Sequence, residues 1–65
     1  MIVETIRGYE VLLTWDDDDK LWVSFVPALN WLSTFGETRA EALMYTQEAV
    51  EGYIETSVQE GIEIP

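Results

Sequence analysis

About a third of this 65-residue chain is committed to a single helix by signals at both of its ends. Thr38-Arg39-Ala40-Glu41 is a capping box. The threonine hydroxyl can accept the Glu41 amide, while the Glu41 side chain reaches back to the Thr38 amide. At the far end Gly61 can take the left-handed conformation that stops a helix. The spacing predicts a helix over 39–60, roughly 33 Å long and able to cross a whole small sheet. At 100° per residue Leu43, Val50, Ile54, Ser57 and Val58 form one stripe, with Ala42, Thr46 and Tyr53 at its margin. Glu41, Glu48, Glu51 and Glu55 fall on another side, where like charges repel. The helix therefore depends on a packed face, and the residues before it must supply what it packs on.

Those residues read as strands. Tyr9, Val11, Leu13 and Trp15 alternate with Glu10, Leu12 and Thr14, and Leu21, Val23 and Phe25 alternate with Trp22, Ser24 and Val26. The polar run Asp16-Asp17-Asp18-Asp19-Lys20 between them has turn chemistry and closes an antiparallel hairpin. Pro27 lacks an amide hydrogen and ends the second strand. Expected strands are 9–15, 21–26 and 29–35, with Gly36 as the turn into the helix. Residues 1–8 extend the sheet or pack along it, and Ile62 to Pro65 form a short extended tail. The expected fold class is α+β: one domain over 1–65, a three-stranded antiparallel sheet covered on one face by one long helix. Leu12, Trp22, Val26, Trp31 and Leu32 are assigned to the face left uncovered, an apolar set that a second subunit would cover.

Composition narrows the chemistry. A chain this short buries only about 60% of its unfolded surface and gains from outside reinforcement. With no cysteine and no histidine, disulfides and the common zinc and iron–sulfur sites are excluded. What remains is association, for which 48% hydrophobic residues and three tryptophans supply surface. A homo-oligomer, dimer or tetramer, is expected. Thirteen acidic against three basic residues give a net charge of −10. Such a surface disfavours nucleic acid and anionic membranes and suits a basic protein partner. No signal peptide or bilayer-length apolar run is visible, and a cytoplasmic protein is expected.

From Tyr9 to Pro65 the chain resembles the HicB-like (UPF0150) family. The resemblance rests on Trp15, the run Asp16 to Lys20, and Trp22-Val23-Ser24-Phe25. It continues in Val26-Pro27-Ala28-Leu29, in Gly36-Glu37-Thr38-Arg39-Ala40-Glu41-Ala42-Leu43, and in the ending Gln59-Glu60-Gly61-Ile62-Glu63-Ile64-Pro65. Asn30-Trp31-Leu32 departs from the family's usual Pro-Gly-Cys turn. The resemblance implies a partial ribonuclease-H-like fold and an antitoxin role, binding and neutralising a small basic RNA-cleaving toxin. Full-length antitoxins of the family usually carry a DNA-binding segment after this core, and the expectation here is the single-domain form without it. The alternative is an orphan oligomeric module with no toxin partner.

Each charged or aromatic motif also has a plainer reading. Four consecutive aspartates can hold a hard cation, but they lack the alternating spacing, glycine and terminal glutamate of a calcium loop. A solvated turn is the expected role, and no metal or cofactor is expected. A two-metal nuclease needs carboxylates converging from a strand centre, which here offers Val11, Leu12 and Leu13. Without His or Cys no base activates Ser24, Ser33 or Ser57, so no enzyme is expected. Asp16, Asp17, Asp18, Asp19, Glu48, Glu51 and Glu55 are the expected contacts for a basic partner. Trp15 is assigned to the core, whereas Trp22 and Trp31 divide evenly between core and interface.

Overall fold

The computed structural model describes residues 1–63; Ile64 and Pro65, the end of the expected tail, lie outside the described residues. The chain opens with a hairpin. β1 (Ile2–Ile6) and β2 (Tyr9–Asp16) pair antiparallel, with Ile2 opposite Leu13 and Ile6 opposite Tyr9. Their turn is Arg7-Gly8, with φ of 51° and 82°. Left-handed backbone at both central positions gives a two-residue turn whose twist matches that of the strands. The sheet is therefore four-stranded rather than three-stranded, because the first eight residues contribute a strand and its turn.

β2 continues through Asp17–Lys20 into β3 (Leu21–Val26), with Asp16 opposite Leu21. The Asp16 carboxylate accepts the amides of Asp18 and Asp19 at 3.0 and 3.2 Å, which folds the acidic run into a tight turn. Pro27–Leu29 is a single 3₁₀ turn, and β4 begins later than expected, at Leu32–Gly36. The reason is local. Proline suits the first position of a helical turn, and Leu29 turns inward to become fully buried. Asn30 and Trp31, at φ 59° and 57°, then swing the chain back into the sheet. All four strands follow one another in the order β1-β2-β3-β4.

α1 (Arg39–Glu60) starts on Thr38, whose hydroxyl accepts the Glu41 amide at 3.0 Å, while the Glu41 carboxylate accepts the Glu37 amide. It stops at Gly61, φ 71°. There the Ile62 amide donates to the Ser57 carbonyl and the Gly61 amide to that of Val58, a Schellman motif. The helix rests chiefly on β4 and β3.

Its buried face agrees with the expected stripe at Val50 and Ser57 but is rotated toward the margin residues Ala42 and Thr46. Ala42, Thr46, Val50 and Ser57 are buried, whereas Val58, expected within the stripe, is 67% exposed. Small residues set this rotation. A Cβ at Gly36 would stand 2.6 Å from the Ala42 amide nitrogen and 2.9 Å from the Glu41 carbonyl carbon, so the helix lies directly on the strand backbone. One turn on, the Ser24 and Thr46 hydroxyls meet at 2.6 Å, fully buried. Thr46 also lies 2.6 Å from the Ala42 carbonyl, which can only accept. The single Thr46 proton therefore goes to Ala42, and Ser24 donates to Thr46. Beyond this pair the core turns apolar, with Val11, Val26, Leu29 and Val50 in one cluster.

Two outcomes follow from this seat. Gly36→Ala should lower stability by about 1–3 kcal/mol in urea unfolding, because the added methyl meets backbone that cannot rotate away. Thr46→Val should cost about 1 kcal/mol by leaving the buried Ser24 hydroxyl only its long 3.4 Å contact to the Thr34 carbonyl, whereas Ser24→Ala combined with Thr46→Val should cost less than the sum of the single changes.

Candidate protein-binding surface

Cross-strand partners share a face, so the registers decide what lies opposite the helix. Val3 pairs with Leu12, Leu12 with Phe25, and Phe25 with Ser33; alongside, Thr14 pairs with Val23 and Val23 with Phe35. These two rows form the face away from α1, and it has no cover among the described residues. Trp31 joins them, its ring edge-on to Phe25 at 6.4 Å and 69°. Val3, Trp31 and Phe35 are each more than half exposed. Carboxylates stand only at its margins, on Glu10 and Asp16. An apolar patch with a polar rim of this kind marks a protein contact.

Of the residues expected on this face, Leu12 and Trp31 lie there. Trp22, Val26 and Leu32 do not: they share the helix side with Val11, Leu13 and Ser24, and Val26 is fully buried. Because Asp16 stands opposite Leu21, even positions of β2 share a face with odd positions of β3. Val23, Phe25 and Phe35 were missed for that reason, and Val3 because the strand that pairs it with Leu12 was left undecided. The four-residue polar turn was the signal that could have set the parity. Trp15, expected in the core, is 43% exposed and stands edge-on to Trp22 at 5.7 Å.

The acidic residues expected to meet a basic partner are not gathered into one patch. Asp16 spends its carboxylate on the turn amides. Asp17 pairs with Lys20 at 2.9 Å. The bond from Lys20, followed by one from the Trp15 indole, holds the Asp17 carboxyl below the usual carboxylate range. At the other end of β2, Glu51 bridges to Arg7 at 3.1 Å. Glu48 and Glu55 stand exposed on the outward side of α1, as Asp18 and Asp19 do on the turn. The acidic turn and the acidic helix face are thus two separate surfaces.

No three His, Cys, Asp or Glu side chains converge on a common point among the described residues. Ser24 and Thr46 are committed to each other, and no described helix is long and apolar enough to cross a membrane.

Trp31 combines an unfavourable backbone with an exposed side chain. A left-handed φ costs a bulky residue roughly 1–2 kcal/mol, and such outliers gather at functional positions. Measured on the single copy, Trp31→Gly should leave the melting temperature within a few degrees of the parent, since relief of strain offsets the lost ring contact with Phe25. A large fall in thermal unfolding would mean that the ring serves the fold instead.

The UPF0150 protein Ta0767 of Thermoplasma acidophilum is 40% identical to this chain over 57 residues, covering 88% of the chain and 81% of the relative. No protein-family model matches the chain. No solved structure matches it.

Proposed function

This chain belongs to the UPF0150 family, and on that premise we propose that it is a non-enzymatic, HicB-like antitoxin-type protein that binds and neutralises a small basic RNA-cleaving toxin. The layout is read as the HicB-like, partial ribonuclease-H-like arrangement. The observation that carries a binding role is the open sheet face built by Leu12, Val23, Phe25, Trp31 and Phe35. In this reading a second copy packs its own open face there, sheet on sheet, and completes the core that one short chain builds only on one side. A basic partner is met by carboxylates the fold does not use, Asp18 and Asp19 on the turn and Glu48 and Glu55 on the helix. The non-enzymatic reading is supported by a sequence without His or Cys and by hydroxyls tied into the helix seat.

Light scattering on the unmodified protein should give at least a dimer, and Val23→Lys should halve the mass while the helical circular dichroism is kept. A folded monomer for the unmodified chain would sink the open-face contact. Where a small basic RNA-cleaving protein is encoded beside the gene, titration with this chain should suppress its RNA cleavage at a fixed stoichiometry, and the lack of such a neighbour would favour the orphan reading. The on-rate should fall steeply from low to physiological salt, where the Debye length shrinks to about 8 Å. Glu48→Gln with Glu55→Gln should slow that on-rate and spare the fold; Glu51 is left in place because it holds Arg7. An oligomer that neither binds nor inhibits such a protein would instead be the orphan interaction module.

A further inference from the structure

Beyond the open face, the outer edge of β4 has the features of a site for an added strand. We propose that it takes an extended segment of another protein, apolar at its centre and basic at its ends, as a fifth strand of the sheet. The contact is separate from the open face and does not depend on whether that protein is a ribonuclease. β4 has no partner strand on its outer side among the described residues. Natural edge strands are blunted by charge, proline or a bulge. The other edge strand, β1, carries Glu4, but Leu32-Ser33-Thr34-Phe35-Gly36 carries neither charge nor proline. The Ser24 hydroxyl lies 3.4 Å from the Thr34 carbonyl oxygen, so the Thr34 backbone groups turn inward to β3. By alternation the amides and carbonyls of Ser33 and Phe35 turn outward, where an added strand pairs with them.

The register of such a strand decides what its side chains meet. Residues paired with Leu32 and Thr34 fall on the helix side, whereas the one paired with Ser33 falls on the open face. On the helix side, where α1 passes the Leu32 end of β4, lies an open groove of about 380 Å³. Its walls include Leu32, Ala49, Gly52, Tyr53 and Thr56, small or apolar residues that suit apolar side chains at alternate positions of the incoming segment. Gly52 sits inside the helix, where glycine is the least favourable residue after proline. The fold does not require it, because a Cβ there would meet nothing within 4 Å. Its effect is to keep the groove wide.

Charge chooses the occupant. Glu60 lines the same groove, exposed and in no ion pair among the described residues, and the exposed Glu37 directly follows β4. Carboxylates therefore stand at both ends of an uncharged edge, on a chain of net charge −10. A segment with Lys or Arg on either side of an apolar centre complements that pattern. A second copy does not: paired antiparallel about Ser33, it would bring its own Glu37 toward the groove end that holds Glu60. Every pairing within the sheet is antiparallel, and the added strand is placed the same way. Its C-terminal cation then runs past Leu32 toward Glu60, and its N-terminal cation lies toward Glu37.

The probe that tests this is a fluorescein-labelled peptide of about seven residues, alternating valine and threonine between terminal lysines and long enough to span β4. Fluorescence polarisation should show saturable binding to the unmodified protein. Binding should weaken at least about tenfold when both lysines are replaced by glutamate, or when the central amides of the peptide are N-methylated. On the protein, Ser33→Pro removes an outward amide without touching the β3–β4 ladder, and Gly52→Leu fills the groove while favouring the helix. Each should weaken binding by about tenfold or more with the circular dichroism unchanged. Glu60→Lys should weaken it about threefold to fivefold, the scale of an exposed ion pair. Binding that survives both Ser33→Pro and Gly52→Leu, or no saturable binding at all, overturns the strand addition. A mass halved by Ser33→Pro in light scattering, without peptide binding, overturns it in favour of a second copy at the edge. Val23→Lys, on the open face, should leave peptide binding unaltered. Failure here therefore leaves the open-face contact and the toxin reading standing, and failure of either leaves the edge site standing.

Discussion

The close seat of α1 on β4 governs the rest of the molecule. At Gly36 the strand backbone and the first turn of the helix are in direct contact, and one turn later Ser24 and Thr46 tie helix to sheet by a buried hydrogen bond. Neither feature contributes much hydrophobic energy, since glycine, alanine and serine have little apolar surface to bury. What they do is set position. A hydroxyl pair with one geometry, with both groups satisfied inside the protein, penalises any sliding of the helix that would leave a donor unmatched. The apolar cluster of Val11, Val26, Leu29 and Val50 then supplies the favourable free energy in the register that the polar pair selects.

That seat also decides what remains exposed. Because the helix lies over β3 and β4, one sheet face is fully open and the outer edge of β4 lies beside a shallow groove. Both surfaces are apolar, and their rings, Phe25, Trp31 and Phe35, come from adjacent strands and one strained turn. A 65-residue chain with one helix on one face of one sheet has little core to spare. These outward rings are the apolar surface on which the proposed self-contact rests.

Much of the architecture was legible in the sequence where the signal is local. The helix was, because a capping box and a Schellman glycine act within a few residues of the backbone they satisfy. The acidic hairpin was, because aspartates favour turns. What escaped were properties that depend on pairing. Which side of β3 meets the helix follows from a register of one residue, and that register flips every side chain at once. The helix face escaped for a related reason: its centre is Ala42 and Thr46, which hydrophobic periodicity places at the margin, because close approach rewards small size over apolarity. Pro27 was read as the end of a strand, and its second use, opening a 3₁₀ turn that buries Leu29, needed the core to be seen. Of the residues assigned to the open face, Leu12 and Trp31 lie on it, whereas Trp22, Val26 and Leu32 lie on the helix side.

Charge acts on this protein mainly by exclusion. The two ion pairs among the described residues, Arg7 with Glu51 and Lys20 with Asp17, are solvent-exposed and sit at hairpin turns. Exposed pairs of this kind contribute little to stability. Their effect is to place two of the three cations at the ends of the sheet, so that the remaining surface carries almost unrelieved negative charge. Such a surface repels phosphates, anionic lipids and other copies of itself everywhere except where it is uncharged. The uncharged regions are the sheet face opposite the helix and the edge of β4. The acidic excess thus disfavours approach of another copy everywhere but at uncharged surface, and it favours approach of a body of opposite sign to the outer face of the helix and the hairpin turn.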